Sequence, residues 1–218
     1  MNQKLFIVFE GLDSCGKSTQ AELLKDYLIT NKEPTIISSE PSNGIIGNLI
    51  RQALKQRINF TRDRALFDEQ MAYLFAADRH DHLYNDLDGV FKLIKDGFHV
   101  ISTRYYFSSL AYNCNTSEKF DFVAKLNNKF PNPDVTIYID IPVEVSLKRL
   151  AERSQLEIYE TKNKLTQVRK QYEQIFNNYE GTLLKIDGTK KNQEIHQKII
   201  DFIQQKWTID NYQSNINN

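Results

Sequence analysis

Short apolar runs and longer stretches of helical spacing alternate along the chain. Residues 5–10 (LFIVFE) form a nearly continuous apolar run, which is typical of a strand buried on both faces of a parallel sheet. Similar runs predict strands at residues 35–37, 99–102, 135–141 and 183–186. Helical spacing fills the intervals between them. The alternation predicts an α/β fold with a five-stranded parallel sheet and helices on both faces.

Two segments depart from this regular alternation. Residues 45–95 show helical spacing interrupted at residues 59–63 (NFTRD), where Thr61 is a candidate N-cap. We expect this insertion to form one wall of a ligand pocket. The polar residues 153–164 are a candidate mobile lid, and the Asn- and Gln-rich residues 207–218 are expected to fray.

Length and charge narrow the class of protein. The 218 residues suffice for one sizeable core, which we predict to be a single domain over residues 1–206. The 28 basic and 28 acidic side chains balance, so no excess positive charge is present to hold a nucleic-acid polymer. No apolar run approaches the roughly 18 residues of a membrane span. With two cysteines and no apparent export signal, we expect a cytoplasmic protein without a membrane partner.

A phosphate-binding motif follows the first predicted strand. Residues 11–18 read GLDSCGKS, which matches G-x-x-x-x-G-K-[ST] between a strand and a helix. Such a loop predicts a three-layer P-loop NTPase fold, because its amides and the following helix dipole hold phosphate oxygens. The predicted ATP-binding residues are Gly11, Leu12, Asp13, Ser14, Cys15, Gly16, Lys17, Ser18 and Thr19. We expect Lys17 to reach the β and γ phosphates and Ser18 to ligate Mg²⁺.

Four local patterns resemble the thymidylate kinase family. They are FEGLDSCGKSTQ at residues 9–20, EPSNG at 40–44, YLFAADRHDH at 73–82 and RYYFSSLAYN at 104–113. In order and spacing the chain is similar to that family over residues 5–206. The resemblance implies transfer of the ATP γ-phosphoryl group to dTMP with Mg²⁺ as cofactor. It also implies a homodimer formed through the helices that flank the third strand.

Phe75 and Arg79 are candidates for contact with the acceptor base. They lie four residues apart, so on a helix they share a face and can serve one ligand. The ring would stack on a base while the guanidinium donates to a carbonyl of that base. The resemblance implies that the base is thymine. In the alternative, Phe75 belongs to the core and Arg79 pairs with Asp78 or Asp81 at the surface.

Polar side chains also follow the third predicted strand. Arg104 comes at its carboxyl end, the edge where open α/β sheets bind ligands, and its planar fork suits a phosphate. The resemblance implies that Arg104 contacts the acceptor phosphate, and Ser108 can offer a hydroxyl nearby. It also places Ser109 near the base edge and Tyr112 against the sugar 2′ position, where steric exclusion selects deoxyribose. A buried Tyr112 without such a role is the alternative.

The resemblance implies further acceptor contacts near the P-loop. Asp13 corresponds to a carboxylate that reaches the sugar 3′-hydroxyl or the metal, although an unconstrained loop residue is the alternative. Glu40 and Pro41 end the second strand and, with Arg51 on the next helix, would line the acceptor phosphate site. Arg51 could instead be an ordinary exposed helix arginine.

The predicted lid carries the remaining catalytic candidate. In this family an arginine comes from either the P-loop or the lid, and GLDSCGKS contains none. The resemblance therefore assigns charge compensation in the transition state to Arg153, with Arg149 structural or facing adenine. Lid closure would exclude water from the site. The predicted catalytic residues are Lys17, Arg104, Arg153 and Asp13.

One position departs from the family pattern. Thr103 stands before Arg104 where the family has an aspartate that fixes Mg²⁺ through water, and a neutral hydroxyl binds this metal more weakly. Either activity is reduced, or Asp13 or Glu10 takes over this role. Asn113 also replaces a frequent glutamine. Two alternatives therefore stand beside dTMP phosphorylation: a kinase for another nucleoside or nucleotide, and a nucleotide-binding homologue with weakened catalysis.

Overall fold

The computed structural model describes residues 3–114, 116–152 and 157–216, with side chains up to residue 207. Within these residues a parallel five-stranded sheet forms the centre of the molecule. The strands are β1 (Phe6–Glu10), β2 (Thr35–Ile37), β3 (His99–Thr103), β4 (Val135–Asp140) and β5 (Leu183–Asp187). Their order across the sheet is β2-β3-β1-β4-β5. The predicted α/β class and parallel sheet are confirmed.

The register of the sheet places the carboxyl ends of β1 and β3 side by side. Phe9 of β1 pairs with Thr103 of β3, and Glu10 pairs with Tyr138 of β4. All five residues of β1 are buried, as expected for a central strand that is covered on both faces. Because β1 lies between β3 and β4, the crevice beyond its carboxyl end is the usual ligand position in such sheets.

Helices flank the sheet and connect its strands. They are α1 (Lys17–Thr30), α2 (Ile45–Leu54), α3 (Arg64–Tyr84), α4 (Val90–Lys95), α5 (Tyr106–Tyr112), α6 (Ser117–Asn127), α7 (Val143–Leu150), α8 (Lys162–Asn177) and α9 (Asn192–Ile216). Helix α1 packs against β2, β3 and α9, while α5 packs against α8. In the described part of the chain, no helix combines the length and apolar character that a membrane span requires.

Two boundaries differ from those expected. Asp63, rather than Thr61, is the N-cap of α3, because its carboxylate accepts from the backbone N–H of Ala65 (2.8 Å) and Leu66 (3.1 Å). The Thr61 hydroxyl instead accepts from the N–H of Asp63 and stabilises the preceding turn. Helix α9 continues to Ile216, so the residues expected to fray extend the last helix.

Candidate active site

The P-loop is held in shape by glycines and by Lys17. Gly11 and Gly16 have φ angles of 142° and 107°, a region that L-residues rarely adopt. A Cβ on Gly11 would also lie 2.4 Å from the carbonyl oxygen of Ile139. Lys17 Nζ donates to the carbonyl oxygens of Gly11 (2.9 Å) and Leu12 (2.7 Å), which curls the side chain over the loop. These contacts explain why the motif needs glycine and lysine at these positions.

The loop forms one side of a cavity of about 350 Å³, which we call the donor pocket. Residues 13–19 line it together with Glu40, Thr103 and Arg104. Burial lowers the pKa of Lys17, and the positive charge of Arg104 lowers the same pKa further. The loop amides and Lys17 suit a polyanion such as a triphosphate.

A second cavity of about 240 Å³, the acceptor pocket, lies beside the first. It is lined by Asp13, Glu40, Pro41, Arg51, Leu54, Phe75, Arg79, Arg104, Tyr105, Ser108, Ser109, Tyr112, Asn113, Glu157, Tyr159 and Glu160. All ten residues predicted to bind the acceptor lie in this wall. Asp13, Glu40 and Arg104 line both pockets and so form the partition between them.

Arg79 is buried and almost fully paired. Its Nε and Nη2 atoms donate to Glu40 Oε2 at 3.0 and 2.6 Å, and Nη1 donates to Asn127 Oδ1. Nη2 also donates to the Ser109 hydroxyl at 3.3 Å. A guanidinium carries five N–H groups, so one on Nη1 takes no part in these bonds. Arg79 is thus anchored by Glu40, the residue that ends the second strand region.

The alternative surface role of Arg79 is wrong. Asp78 is buried, and its carboxylate accepts from the backbone N–H (2.8 Å) and hydroxyl (2.6 Å) of Ser42. Burial raises the pKa of Asp78 despite these hydrogen bonds. Asp81 accepts from Asn85 instead. Phe75, one turn before Arg79, is partly buried against the core and also lines the acceptor pocket, so its stacking on a base stays a prediction.

Arg104 is the centre of the partition. Its φ angle of 80° is unusual for an arginine, and its backbone N–H donates to the carbonyl oxygen of Phe9 at 2.8 Å. Nη1 donates to the Ser108 hydroxyl at 2.9 Å, while Nη2 forms an ion pair with Asp13. The Tyr112 hydroxyl donates to the other carboxylate oxygen of Asp13 at 2.8 Å. These bonds fix the guanidinium between the two pockets.

The charge of Asp13 depends on this arrangement. Burial alone would raise the pKa of Asp13, but Arg104 and Lys17 hold that pKa below its ordinary value. Asp13 is therefore an ionised, paired residue, which rules out the alternative of an unconstrained loop position. Tyr112 is buried, as one alternative expected, yet its hydroxyl reaches the partition.

The donor pocket offers oxygen atoms that suit Mg²⁺. Ser18 is exposed there, and the Thr103 hydroxyl donates to Ser39 Oγ at 2.8 Å. Hard cations such as Mg²⁺ prefer oxygen ligands and usually complete their shell with substrate phosphates. Across the described residues, no group of three or more acidic, histidine or cysteine side chains forms a metal cage. The residues thus fit a metal ion that enters bound to a nucleotide.

The structure decides between the alternatives for three further residues. Glu10 is fully buried with hydrogen-bond donors on both oxygens, so it does not serve the outer shell of a metal. Arg51 is not a simple exposed arginine, because it donates to the carbonyl oxygens of Pro41 and Ser42 at 2.7 and 2.6 Å. Arg149 donates to Ser14 O at 3.1 Å, which supports a structural role. Residues 153–156 of the predicted lid, Arg153 among them, lie outside the described residues.

The sequence did not identify six residues of the acceptor wall as ligand contacts: Leu54, Tyr105, Asn113, Glu157, Tyr159 and Glu160. The last three lie within the predicted lid. The Tyr159 hydroxyl donates to Asp68 at 2.9 Å, and the N–H of Ile158 donates to the Leu54 carbonyl oxygen at 3.1 Å. The carboxylates of Glu157 and Glu160, which follow Arg149 and Arg153, could have indicated ligand contacts from the sequence alone. No sequence pattern distinguishes Leu54 from other apolar residues.

Comparison with known proteins agrees with this geometry. A model of the thymidylate kinase family matches residues 9–199. A probable thymidylate kinase of Methanococcus aeolicus is 39% identical over 206 residues, which cover 92% of this chain and 96% of that protein. A putative thymidylate kinase of Treponema pallidum is 34% identical (92% and 95% covered), and a thymidylate kinase of Sulfurihydrogenibium sp. is 35% identical (92% and 97% covered). The chain belongs to the thymidylate kinase family.

Proposed function

We propose that the protein transfers the γ-phosphoryl group of ATP to dTMP and so forms dTDP. The observation that carries this proposal is the shared partition of Asp13, Glu40 and Arg104 between the two pockets. Two nucleotides bound on either side would meet with their phosphates at Arg104. The relatives at 34 to 39% identity carry the name thymidylate kinase, which supports this choice of donor and acceptor.

The acceptor pocket has features that suit thymine. The side-chain oxygen of Asn113 is buried without a hydrogen-bond partner among the described residues, and Asn113 lines this pocket. A buried acceptor without a partner costs about 1–3 kcal/mol, so a base that offers an N–H there is favoured. Thymine offers the N3–H, whereas cytosine has a lone pair at N3. The remaining N–H of Arg79 is available for a base carbonyl, and Phe75 for stacking.

The chemistry needs alignment and charge neutralisation rather than a protein nucleophile. An oxygen of the acceptor phosphate attacks the γ phosphorus, and Lys17, Arg104 and Arg153 share the charge that spreads over the transferred group. Bound Mg²⁺, held by Ser18, would neutralise charge on the β and γ phosphates. Because Asp13 is paired with Arg104, the acceptor phosphate must compete with this carboxylate for the guanidinium.

A panel of acceptors tests the proposal. The purified protein is mixed with ATP, Mg²⁺ and one acceptor: dTMP, dUMP, dCMP, dGMP, ribothymidine monophosphate or thymidine. ADP release and product mass are measured for each acceptor. We expect dTMP to give the highest kcat/KM and dCMP to be a poor acceptor. Preferred turnover of a nucleoside or another monophosphate would replace the proposal with the first alternative. Tight ATP binding without any product would support the homologue with weakened catalysis.

We further propose a homodimer, formed through the exposed face of α3 in the helical region that precedes β3. Leu66, Tyr73 and Tyr84 are 53, 50 and 46% exposed, and their spacing of seven and eleven residues puts them on one face of α3. Such an apolar stripe suits a second copy of the chain. We expect Tyr73→Glu to shift sedimentation towards the monomer, while Leu87→Glu, in the following loop, leaves the mass unchanged. A monomeric wild-type protein would contradict this.

We also place the activity in the cytoplasm. Its co-substrate is ATP, and the thiols of Cys15 and Cys114 are both free. Burial raises the pKa of Cys114 to about 12, which keeps that thiol protonated and unreactive. Cell fractionation followed by the dTMP assay tests the location, and recovery of the activity outside the cytoplasmic fraction would contradict it.

A further inference from the structure

A buried carboxylate lies behind the partition between the pockets. Glu10 ends β1 and is fully buried. Its Oε1 accepts from the backbone N–H groups of Tyr105 (2.7 Å) and Ser108 (3.2 Å). Its Oε2 accepts from the hydroxyls of Ser108 (2.7 Å) and Tyr172 (2.8 Å). Tyr105 is the N-cap of α5 and has no side-chain cap bond of its own, so Glu10 supplies the cap from the neighbouring strand.

Tyr172 brings a distant helix to this carboxylate. It lies on α8, which follows the predicted lid, and is fully buried. Its ring stacks on Phe176 with a centroid distance of 5.8 Å and an interplanar angle of 3°. Burial raises the pKa of Tyr172, so its hydroxyl keeps the proton that it donates. The ring already has apolar partners, and the hydroxyl is the part of the side chain that reaches Glu10.

The hydrogen bonds continue from Glu10 to Arg104. A serine hydroxyl has one proton, and Ser108 donates it to Glu10, which leaves the oxygen lone pairs free to accept. The Ser108 oxygen then accepts from Nη1 of Arg104 at 2.9 Å. The Tyr172 hydroxyl is also 2.9 Å from the same serine oxygen. Tyr172 and Glu10 therefore fix the orientation of the group that holds one end of the guanidinium.

Arg104 is held from two sides. Ser108 binds Nη1, while Asp13 binds Nη2 from the P-loop side. If Ser108 loses its orientation, the pull of Asp13 is no longer balanced and the guanidinium turns towards the loop. The positive φ angle of Arg104 adds to this need for support, because a strained backbone persists when several contacts determine it.

We propose that Tyr172 is a positioning residue for phosphoryl transfer: through Glu10 and Ser108 its hydroxyl keeps the Arg104 guanidinium facing the acceptor phosphate. Tyr172 lines neither pocket and so acts through these residues rather than on the nucleotide. The inference rests on the proposed function, since it takes the acceptor pocket to be the site of the nucleotide monophosphate.

The test compares two Tyr→Phe variants in one aromatic cluster. Tyr172→Phe removes the hydroxyl at Glu10. Tyr138→Phe is the matched control, because Tyr138 is also fully buried, lies 5.3 Å from the Tyr172 ring and donates to Asp140 instead. We expect Tyr172→Phe to raise KM for dTMP about tenfold, the effect of one lost hydrogen bond. The change in KM for ATP should be smaller, because Ser108, through which Tyr172 acts, lines only the acceptor pocket. Tyr138→Phe should leave both KM values within about twofold of the wild type.

A double variant separates positioning from simple loss of stability. If Tyr172 acts through Ser108, the Ser108→Ala and Tyr172→Phe/Ser108→Ala proteins should have the same KM for dTMP, because the second change removes nothing further. Additive effects, an unchanged KM in Tyr172→Phe, or an equal change in Tyr138→Phe would overturn the inference. Thermal unfolding of both Phe variants checks that they are folded.

A failure of the inference about Tyr172 can be distinguished from a failure of the proposed function. If the wild type prefers another acceptor in the panel, the same variants are compared with that acceptor. If no acceptor is turned over, the Kd for dTMP from calorimetry replaces KM. The proposed function then fails on the wild-type protein alone, whereas the inference fails on the comparison between variants.

Discussion

The donor and acceptor pockets lie side by side but are built in different ways. The donor pocket is formed largely by one contiguous segment, residues 13–19, whose backbone shape is set by glycines and by the bonds of Lys17. The acceptor pocket is assembled from side chains of α2, α3 and α5, of the loops after β1, β2 and β3, and of residues 157–160. One pocket is therefore encoded locally, and the other exists after the whole chain has folded.

The basic side chains of the two pockets also differ in their hydrogen-bond and ion-pair partners. Lys17 in the donor pocket donates to neutral carbonyl oxygens. In the acceptor pocket each central arginine already has an acidic partner, Glu40 for Arg79 and Asp13 for Arg104. We conclude that Lys17 is left for the charge of a ligand, whereas Arg79 and Arg104, the latter shared by the two pockets, are balanced beforehand. Changes to the two sides should then show in different measurements.

The largest effect is expected from the donor loop. Lys17→Met removes the cation nearest the P-loop carbonyls, and we expect kcat to fall about a thousandfold, as for loss of one donor to a developing charge. KM for dTMP should stay within about twofold, because Lys17 does not line the acceptor pocket. Lys25→Met on the same helix is the control, since Lys25 pairs with Glu22 at the surface. A large rise in KM for dTMP would contradict the expectation that Lys17 acts in the donor pocket only.

A change in the acceptor wall should instead affect stability. Glu40→Gln leaves the Arg79 guanidinium buried without its counter-charge, and both side chains are at most 2% exposed. We expect the free energy of unfolding to fall by about 3 kcal/mol, near the lower end for breaking a buried pair, because the amide still accepts one bond. Urea denaturation measures this.

The surface residue Glu22 provides the control for Glu40. Its side chain is 58% exposed and pairs with Lys25, so Glu22→Gln should change the unfolding free energy by less than about 1 kcal/mol. Equal stability losses for the two variants would show that the charge balance of the acceptor wall contributes nothing to folding.

These differences explain which parts of the two pockets could be predicted from the sequence. Residues 11–18 carry their own geometry, so the motif alone predicted the loop, the preceding strand and the following helix. Phe75 and Arg79 were placed on one ligand by helical spacing, but the spacing could not show that Glu40 anchors the arginine, since that contact spans 39 residues. Leu54 and Tyr105 line the acceptor pocket because of tertiary packing. No local pattern in the sequence indicates such contacts.

A third prediction concerns the base. Phe75→Ala should raise KM for dTMP about thirtyfold, because stacking of one base on an aromatic ring contributes about 1–3 kcal/mol. KM for ATP should not change, since Phe75 does not line the donor pocket. Phe60→Ala is the control, as Phe60 is an exposed ring in the α2–α3 loop. If Phe75→Ala lowered only the unfolding temperature, Phe75 would be a core residue without contact to the base.

The smallest effect is expected at Thr103, which lines the donor pocket beside Ser18. A carboxylate at this position can accept from the Ser39 hydroxyl, to which the Thr103 hydroxyl now donates, and it would line the donor pocket as Thr103 does now. We expect Thr103→Asp to lower the Mg²⁺ concentration for half-maximal turnover about tenfold, the usual size of an outer-shell contribution. Thr103→Asn is the control, because it offers an oxygen without the charge. Binding of Mn²⁺ to the protein with ADP bound, followed by electron paramagnetic resonance, reports the same change without turnover. If the Asp and Asn variants behaved alike, the charge at this edge would not matter, and the metal would be held by the nucleotide phosphates and Ser18 alone.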